Sequence, residues 1–118
     1  MRVLVTGGVR SGKSSHAEAL LADAQAVTYI TPGYPADPQS DPEWAARVAA
    51  HQASRPASWV TRETVDVAQA LRETTGAVLV DCLGTWLTRQ LDDIGWDAPR
   101  SHIIQSMGER RADLADAV

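Results

Sequence analysis

Short apolar runs along the chain alternate with longer stretches in which apolar residues recur at helical spacing. Three of these runs, Arg2–Thr6, Ala26–Ile30 and Ala77–Asp81, are rich in β-branched residues. Each predicts a strand that is buried on both faces. A fourth, shorter candidate strand is Ser58–Thr61. Strands that alternate with helices predict an α/β domain with a mainly parallel sheet.

The stretches between and after these runs predict five helices. The first helix begins at Lys13, and the second spans Asp41 to about Ser54. The third spans Thr64–Thr74, the fourth runs from Gly84 to about Leu91, and the fifth begins at Ser101. Asp41 before Pro42 is a strong start signal, because an aspartate caps free N–H groups and proline is tolerated at the first helical position. In the third helix we expect three residues to point inward: Val65, Ala68 and Leu71. The last helix carries Ile103, Ile104, Met107 and Leu114.

The segment between the second strand and the second helix predicts a loop. It reads TPGYPADPQSDP from Thr31 to Pro42 and contains four prolines. Few apolar residues are available to pack it as a helix or strand. A functional or mobile loop is therefore expected here.

Composition narrows the class of protein. With 118 residues, of which 44% are hydrophobic, the chain is long enough for one domain over residues 1–118. The net charge of −4 and the lack of basic clusters beyond Arg110–Arg111 argue against nucleic-acid binding. A single cysteine, Cys82, excludes an internal disulfide and a multi-cysteine metal site. Neither a signal peptide nor a membrane-spanning segment is evident. These features favour a cytoplasmic enzyme or binding protein.

The segment from Gly7 to Ser14 reads GGVRSGKS and fits the phosphate-binding pattern G-x-x-x-x-G-K-[ST]. It lies between a predicted strand and a predicted helix, as that pattern requires. Its glycines allow successive backbone N–H groups to surround a phosphate, and the helix directs its positive end at the same anion. Lys13, the only lysine of the chain, adds a compact ammonium where a forked guanidinium has the wrong shape. The alternative is a glycine-rich turn that binds nothing.

Two oxygen-bearing residues are candidates for holding Mg²⁺. Ser14 ends the phosphate-binding pattern, and its hydroxyl is a suitable ligand for the ion. Asp81 ends a buried strand, and the carboxyl ends of such strands lie beside the phosphate loop. The alternative for Asp81 is a carboxylate that caps the following helix.

His51 is the histidine with two competing interpretations. Near a helix C-terminus, a histidine commonly bonds free carbonyls and is stabilised by the helix dipole. A neutral imidazole with one nitrogen facing a ligand can instead attack phosphorus. Helical geometry alone favours the first interpretation. For His16 and His102 we also prefer structural roles.

Three segments together resemble a known family. They read LVTGGVRSGKSSHAEAL from Leu4, WAARVAAHQASRPASWVTRE from Trp44 and VLVDCLGTWLTRQL from Val78. In this order they resemble the bifunctional adenosylcobinamide kinase / adenosylcobinamide-phosphate guanylyltransferase family of cobalamin biosynthesis. The second segment is the most specific, because every position of R-x-x-x-H-x-x-x-R-P-x-x-W-x-T-x-E is filled from Arg47 to Glu63. This match reverses the preference for a structural His51.

The resemblance implies two reactions and a set of site residues. A nucleoside triphosphate, ATP or GTP, would phosphorylate adenosylcobinamide, and His51 would then take GMP from GTP and pass it to the cobinamide phosphate. Lys13 and His51 would be catalytic, while Arg47 and Arg55 can neutralise charge on phosphate. The nucleotide contacts implied by the resemblance are Gly7, Gly8, Val9, Arg10, Ser11, Gly12, Lys13, Ser14, Pro32, Gly33, Tyr34, Gln52, Ala53, Ser54, Arg55, Glu63 and Asp81.

The resemblance also implies the architecture and the assembly. The expected fold is a three-layer domain like that of P-loop NTPases, with helices on both faces of a mainly parallel sheet. Family members continue with further strands beyond the point matched by Val118, so we expect a domain truncated at its C-terminus. They form multimers, which predicts a homo-oligomer. Trp86 and Trp96 are candidates for the contact, although tryptophan is more often a core residue.

Two other functions remain open at this point. A simple P-loop kinase for a small molecule would share the Gly7–Ser14 pattern and leave His51 structural. A nucleotide-binding module without catalysis is the third possibility. Only the first function predicts a covalent bond between a nucleotide and the protein.

Overall fold

The computed structural model describes residues 1–35 and 37–118, so Ala36 in the predicted loop lies outside the described residues. The described residues form five helices and three strands. In chain order these elements are α1 (Lys13–Leu20), β1 (Val27–Thr31), α2 (Pro42–Ala53), β2 (Val60–Glu63), α3 (Val67–Glu73), β3 (Ala77–Val80), α4 (Leu83–Ile94) and α5 (Arg100–Ala117). The alternation of strands and helices confirms the predicted α/β class.

The three strands form one parallel sheet with β1 in the centre. Their order is β2-β1-β3, and the register pairs Thr31 with Glu63 on one side and Ile30 with Val80 on the other. The backbone N–H of Asp81 extends this pairing by donating to the carbonyl of Ile30 at 3.1 Å. The carboxyl ends of all three strands therefore meet at one edge of the sheet.

Helices cover both faces of the sheet because alternate residues of β1 point to opposite sides. Val27 and Tyr29 pack with Leu79 on the face covered by α1. Ile30 packs on the other face with residues of α3, α4 and α5, which are Val67, Ala68, Ala70, Trp86 and Leu114. This arrangement confirms the predicted three-layer architecture.

Aspartate side chains cap the N-termini of α2 and α3, and the cap of α2 is the one that the sequence predicts. The Asp41 carboxylate accepts a hydrogen bond from the backbone N–H of Trp44 at 3.0 Å, and Pro42 is the first residue of α2. Asp66 does the same for the N–H of Gln69 at 3.1 Å. The third helix consequently begins after Asp66 rather than at Thr64.

The strand predicted at Arg2–Thr6 is wrong. The structure gives these residues no strand conformation, and Val3 and Leu4 are 58% and 73% exposed. An apolar run becomes a strand only when a neighbouring strand completes its hydrogen bonds. The strands β2 and β3 are the edge strands of the sheet, but residues 2–6 pair with neither of them. The pattern of residues predicted burial but carried no information on this partner.

Smaller corrections concern the ends and faces of elements. The strand predicted at Ser58–Thr61 lies two residues later, at Val60–Glu63. The most deeply buried residues of α3 are Val67, Ala68 and Ala70. Of the other two residues expected inward, Leu71 is partly buried against the core and Val65 lies before the helix begins. Trp86 lies in the core at 9% exposure, which is the more common place for a tryptophan and leaves Trp96 as the candidate for a contact between copies.

Within the described part of the chain, none of the helices combines the length and apolarity needed to cross a membrane.

Candidate phosphate-binding site and histidine cleft

The Gly7–Ser14 segment forms a tight loop that leads directly into α1. Gly12 is the N-cap residue and has a left-handed backbone with φ of +84°. The Lys13 ammonium donates to the carbonyl of Gly8 at 3.2 Å, so its side chain folds back across the loop. A Cβ at Gly7 would lie 2.5 Å from the Ser11 hydroxyl oxygen. The left-handed backbone thus favours glycine at position 12, whereas a side chain at position 7 would require the Ser11 side chain to rotate. The loop places the Lys13 ammonium beside the helix N-terminus.

Ser14 and Asp81 lie together although 67 residues separate them in the chain. The Ser14 hydroxyl donates to Oδ2 of Asp81 at 3.1 Å. Ser14 is in the first turn of α1, and Asp81 follows the last residue of β3. The two candidate metal-binding residues thus meet at the carboxyl edge of the sheet, directly beside the loop.

Tyr29 is a third member of this group. Its hydroxyl donates to the same Asp81 oxygen at 2.6 Å. Burial raises the pKa of the Tyr29 hydroxyl well above its usual range, and the hydrogen bond to the Asp81 carboxylate raises it further. The hydroxyl therefore keeps its proton and acts as a permanent donor to Asp81.

These oxygen atoms suit a small, hard cation. Mg²⁺ is typically held by one or two protein oxygens together with substrate phosphates and water. The Ser14 hydroxyl and the Asp81 carboxylate supply such oxygens within hydrogen-bond distance of each other. No group of three or more His, Cys, Asp or Glu side chains suited to a metal occurs among residues 1–35 and 37–118. The donor set thus fits an ion that arrives with a nucleotide.

A cleft of about 230 Å³ separates the start of α1 from the end of α2. One wall of the cleft is formed by residues of α1, which are Ser14, Ser15 and Glu18. The other wall is formed by the last turn of α2 and its C-cap residue, namely Ala50, His51 and Ser54. His51 is exposed to solvent in the last turn of α2. The structure therefore brings His51 and Ser14 to the walls of one cleft.

Arg55 follows the histidine and turns back over the sheet. Its guanidinium lies 3.5 Å above the centroid of the Tyr29 ring, and one terminal nitrogen donates to the Thr61 hydroxyl at 2.9 Å. The buried Nε atom has no hydrogen-bond partner within the described part of the chain. The side chain is thus fixed in place with one polar atom unsatisfied.

The Pro32–Tyr34 segment is anchored to α4 rather than to the cleft. One terminal nitrogen of Arg89 donates to the carbonyls of Pro32 and Gly33 at 3.1 and 2.8 Å, and its guanidinium lies 4.1 Å from the Tyr34 ring centroid. The Tyr34 hydroxyl donates to Asp92 at 2.6 Å. These three predicted contact residues do not line the cleft that contains His51.

The other predicted site residues lie in three parts of the fold. Glu63 ends β2 and pairs with Thr31, which brings it to the same edge of the sheet as Asp81. Gln52 and Ala53 lie in the last turn of α2 but do not line the cleft, unlike their neighbour Ser54. Three exposed loop residues contribute backbone to the turn before α1: Val9, Arg10 and Ser11.

Sequence reasoning missed Tyr29, Glu18 and Arg89. The alternation of β1 places Tyr29 on the same face as Val27, and the register pairs it with Leu79, two residues before Asp81. That combination was available once the strands were paired, but pairing is not visible in the sequence. Glu18 stands four residues after Ser14, one helical turn along α1. Arg89 had no comparable signal.

Comparison with known proteins identifies the family. The sequence profile described as "Cobinamide kinase / cobinamide phosphate guanyltransferase" matches residues 3–117. The chain belongs to this family. The match includes the phosphate loop, the histidine segment and Asp81. In the fold, Ser14 of the loop donates to Asp81 and lines one cleft with His51.

Curated members of the cobinamide kinase / cobinamide phosphate guanyltransferase family are similar along much of the chain. Bifunctional adenosylcobalamin biosynthesis protein CobU of Salmonella typhimurium is 41% identical over 80% of this chain and 52% of its own length. The Escherichia coli protein of the same name is 42% identical, with 82% and 54% covered. CobP of Pseudomonas aeruginosa is 41% identical, with 92% and 65% covered. The chain thus spans between half and two thirds of the length of these relatives.

Proposed function

We propose that this chain phosphorylates adenosylcobinamide with ATP or GTP and then transfers GMP from GTP, through His51, to the cobinamide phosphate. Family membership and the names of the relatives support the pair of reactions. One observation carries the assignment to residues, namely that His51 lines the same cleft as Ser14 of the phosphate loop. A histidine far from the loop would have no access to a bound nucleotide.

In this proposal the Gly7–Ser14 loop holds the polyphosphate. Backbone N–H groups at the start of α1 are free to donate, and the helix dipole adds positive potential at the same point. Lys13 now donates to the Gly8 carbonyl at 3.2 Å. A bound phosphate offers the ammonium a stronger, charge-assisted partner. The lysine is therefore placed to move from the loop carbonyl onto the nucleotide.

Mg²⁺ belongs to the proposal through Ser14 and Asp81. When bound, the ion would neutralise charge on the nucleotide phosphates. Ser14 can offer an oxygen lone pair to the ion while its O–H group continues to donate to the Asp81 carboxylate. The two residues thus need no rearrangement to receive a nucleotide that brings its metal.

The first reaction is a phosphoryl transfer. The acceptor hydroxyl oxygen of adenosylcobinamide forms a bond to the γ-phosphorus, and the bond from that phosphorus to the β–γ bridging oxygen breaks. The nucleoside diphosphate leaves with the electron pair, and the hydroxyl proton is released. Catalysis of this step consists mainly of positioning and charge neutralisation, which the loop and Lys13 supply.

The second reaction proceeds in two displacements. A ring nitrogen of His51 forms a bond to the α-phosphorus of GTP as the bond to the α–β bridging oxygen breaks, and pyrophosphate leaves. A phosphate oxygen of the cobinamide phosphate then attacks the same phosphorus and expels the imidazole. A covalent intermediate divides one difficult exchange into two easier ones. The product is adenosylcobinamide-GDP.

The remaining nucleotide contacts are assigned by the same proposal. Arg55, with its unsatisfied Nε atom, supplies positive charge beside the segment that carries His51. Arg47 lies one helical turn before His51 and adds a second cation. The other proposed contacts are Pro32, Gly33, Tyr34, Gln52, Ala53, Ser54 and Glu63.

A simple kinase with a structural His51 is the second candidate. It is favoured by the place of His51 in the last turn of α2, where the helix dipole stabilises a cation without any catalytic role. This candidate predicts phosphorylation of a small molecule and no covalent nucleotide.

GTP labelled at the α-phosphate separates these functions. The proposal predicts an acid-labile, alkali-stable adduct on the wild-type chain and none on His51→Asn. Exposed His16 gives a matched control, because His16→Asn removes an imidazole that does not line the cleft and should leave labelling intact. Triphosphate consumption with a corrinoid acceptor but no adduct would favour the simple kinase. Nucleotide binding alone would contradict both enzymes.

Location and assembly complete the proposal. Residues 1–118 act as one nucleotide-binding domain in the cytoplasm, where nucleoside triphosphates are available and Cys82 stays reduced. The chain associates with copies of itself, and Trp96 is the tryptophan placed to take part, since it is 64% exposed. Chromatography coupled to light scattering tests this assembly, and a Trp96→Ala variant of unchanged mass would exclude Trp96 from the contact.

A further inference from the structure

One oxygen atom of Asp81 receives two hydrogen bonds from different elements. The Tyr29 hydroxyl of β1 donates to Oδ2 at 2.6 Å, and the Ser14 hydroxyl of α1 donates to it at 3.1 Å. The bond from Tyr29 is the shorter, as expected for a donor to an ionised carboxylate. The orientation of the Asp81 carboxylate is therefore set by one donor on the central strand of the sheet and one donor on α1.

The Tyr29 ring has little freedom to move. Only 1% of the residue is exposed, and its backbone is held in the centre of the sheet by pairing with β2 and β3. Arg55 lies over the ring at 3.5 Å, and Trp59 packs beside it with ring centroids 6.3 Å apart. A donor fixed in this way can fix its acceptor.

The hydroxyl is not needed for packing. Phenylalanine would fill nearly the same volume and would avoid the cost of burying a polar group. The Asp81 carboxylate compensates for that cost. A buried hydroxyl whose partner stands at the phosphate loop points to a role in orienting that partner.

We propose that Tyr29 is a positioning residue whose buried hydroxyl holds the Asp81 carboxylate in the orientation that receives the metal ion of the bound nucleotide. The inference rests on the proposed function in so far as that function assigns Mg²⁺ to Ser14 and Asp81. Hydrogen-bonded partners of metal-binding carboxylates orient them and strengthen metal binding. Tyr29 would therefore act through Asp81 without touching the nucleotide.

Metal binding gives a test that does not depend on turnover. Mn²⁺ is titrated into protein saturated with a non-hydrolysable GTP analogue, and free Mn²⁺ is measured by electron paramagnetic resonance. We expect Tyr29→Phe to weaken Mn²⁺ binding by roughly 10- to 100-fold, while affinity for the metal-free analogue stays unchanged. Mn²⁺ affinity equal to that of the wild type would overturn the inference.

Thr28→Val is the matched control. It removes a hydroxyl from the adjacent residue of the same strand, whose side chain points to the opposite face of the sheet. We expect this variant to bind Mn²⁺ as the wild type does. Equal losses in both variants would mean that any change in β1 disturbs the site, and would overturn a specific role for Tyr29.

If Tyr29→Phe does not fold, fluorine NMR of the otherwise unmutated chain tests the same contact. The chain has two tyrosines, so 3-fluorotyrosine gives two resonances, and Tyr34→Phe assigns them. We expect Mg²⁺ added with the GTP analogue to shift the Tyr29 resonance. A resonance that does not respond would contradict the inference.

The labelling experiment and the metal-binding experiment can contradict the proposed function and the role of Tyr29 separately. If the wild-type chain forms the His51 adduct and Tyr29→Phe binds Mn²⁺ as the wild type does, the proposed function is supported and the role of Tyr29 is contradicted. If the wild-type chain forms no adduct and Tyr29→Phe binds Mn²⁺ more weakly, guanylyl transfer is contradicted and the role of Tyr29 is supported.

Discussion

Arg55 lies over the ring of Tyr29, with its guanidinium 3.5 Å from the ring centroid. The contact joins the segment that follows His51 to the central strand of the sheet. Through the Tyr29 hydroxyl it continues to Asp81 at 2.6 Å. The histidine side and the phosphate side of the site are thus connected by packed and hydrogen-bonded groups rather than by chain proximity.

Removal of this contact should lower stability. We expect Arg55→Ala to reduce the free energy of unfolding by about 1–2 kcal/mol, because a partly desolvated cation–π contact and the hydrogen bond to Thr61 are both lost. Urea denaturation provides the measurement. Exposed Arg47 is the control, and Arg47→Ala should change the value by less than about 0.5 kcal/mol. Equal values for the two variants would show that the Arg55 contact contributes nothing.

Local signals in the sequence predicted most elements but not their neighbours. Asp41 and Pro42 predict the start of α2 because a cap acts within one helical turn. The glycine loop predicts that a helix, α1, follows it. Arg2–Thr6 failed because a strand needs a partner elsewhere in the chain. Tyr29 was missed for the same reason, since its role depends on the pairing of β1 with β3.

The phosphate loop and His51 were proposed from the sequence for different reasons. The loop is a local motif with a physical mechanism, and its eight residues precede a helix as predicted. The strand expected before the loop is not formed by residues 2–6. His51 was selected by resemblance, because its place near the end of α2 fits a structural role equally well. The cleft shared with Ser14 depends on how α1 and α2 pack, and no local pattern contains that information.

Lys13→Arg should abolish most use of triphosphate although the positive charge is kept. A guanidinium is larger and planar, and it does not fit where the Lys13 ammonium approaches the Gly8 carbonyl at 3.2 Å. We expect turnover to fall by at least about 100-fold. Arg111→Lys, on the exposed face of α5, exchanges the same two residue types without effect. Unchanged turnover in Lys13→Arg would contradict the account of the loop.

Two glycines should respond in opposite directions to alanine. Gly12→Ala should lower the free energy of unfolding by about 1–2 kcal/mol, because alanine disfavours the left-handed backbone with φ of +84°. Gly108→Ala lies within α5, where a Cβ meets nothing within 4 Å, and should raise stability by about 0.5–1 kcal/mol. Urea unfolding of both variants checks the signs, and a stabilised Gly12→Ala would contradict the described loop.

Acid should weaken the attachment of the Tyr34 loop to α4. The pKa of Asp92 is lowered below its ordinary value of 3.8 by hydrogen bonds from the Tyr34 hydroxyl and the Trp96 indole. Folding therefore favours the ionised carboxylate, whose contribution is complete at neutral pH and is lost as the pH falls through the lowered pKa.

The comparison of wild type with Asp92→Asn measures this contribution. Their difference in free energy of unfolding should stay constant from neutral pH down to about pH 5 and shrink below about pH 4. A difference that stays constant at lower pH would show that folding does not shift the pKa of Asp92, and one that grows would show that folding raises it. Either result would contradict the prediction.

The central claim is that the Gly7–Ser14 loop with Lys13 holds a polyphosphate and presents its α-phosphorus to His51. A crystal structure with a non-hydrolysable GTP analogue and Mg²⁺ measures this directly. The account predicts phosphates against the loop N–H groups, with a His51 ring nitrogen about 3–3.5 Å from the α-phosphorus. An empty loop, or a His51 ring directed away from the nucleotide, would contradict it.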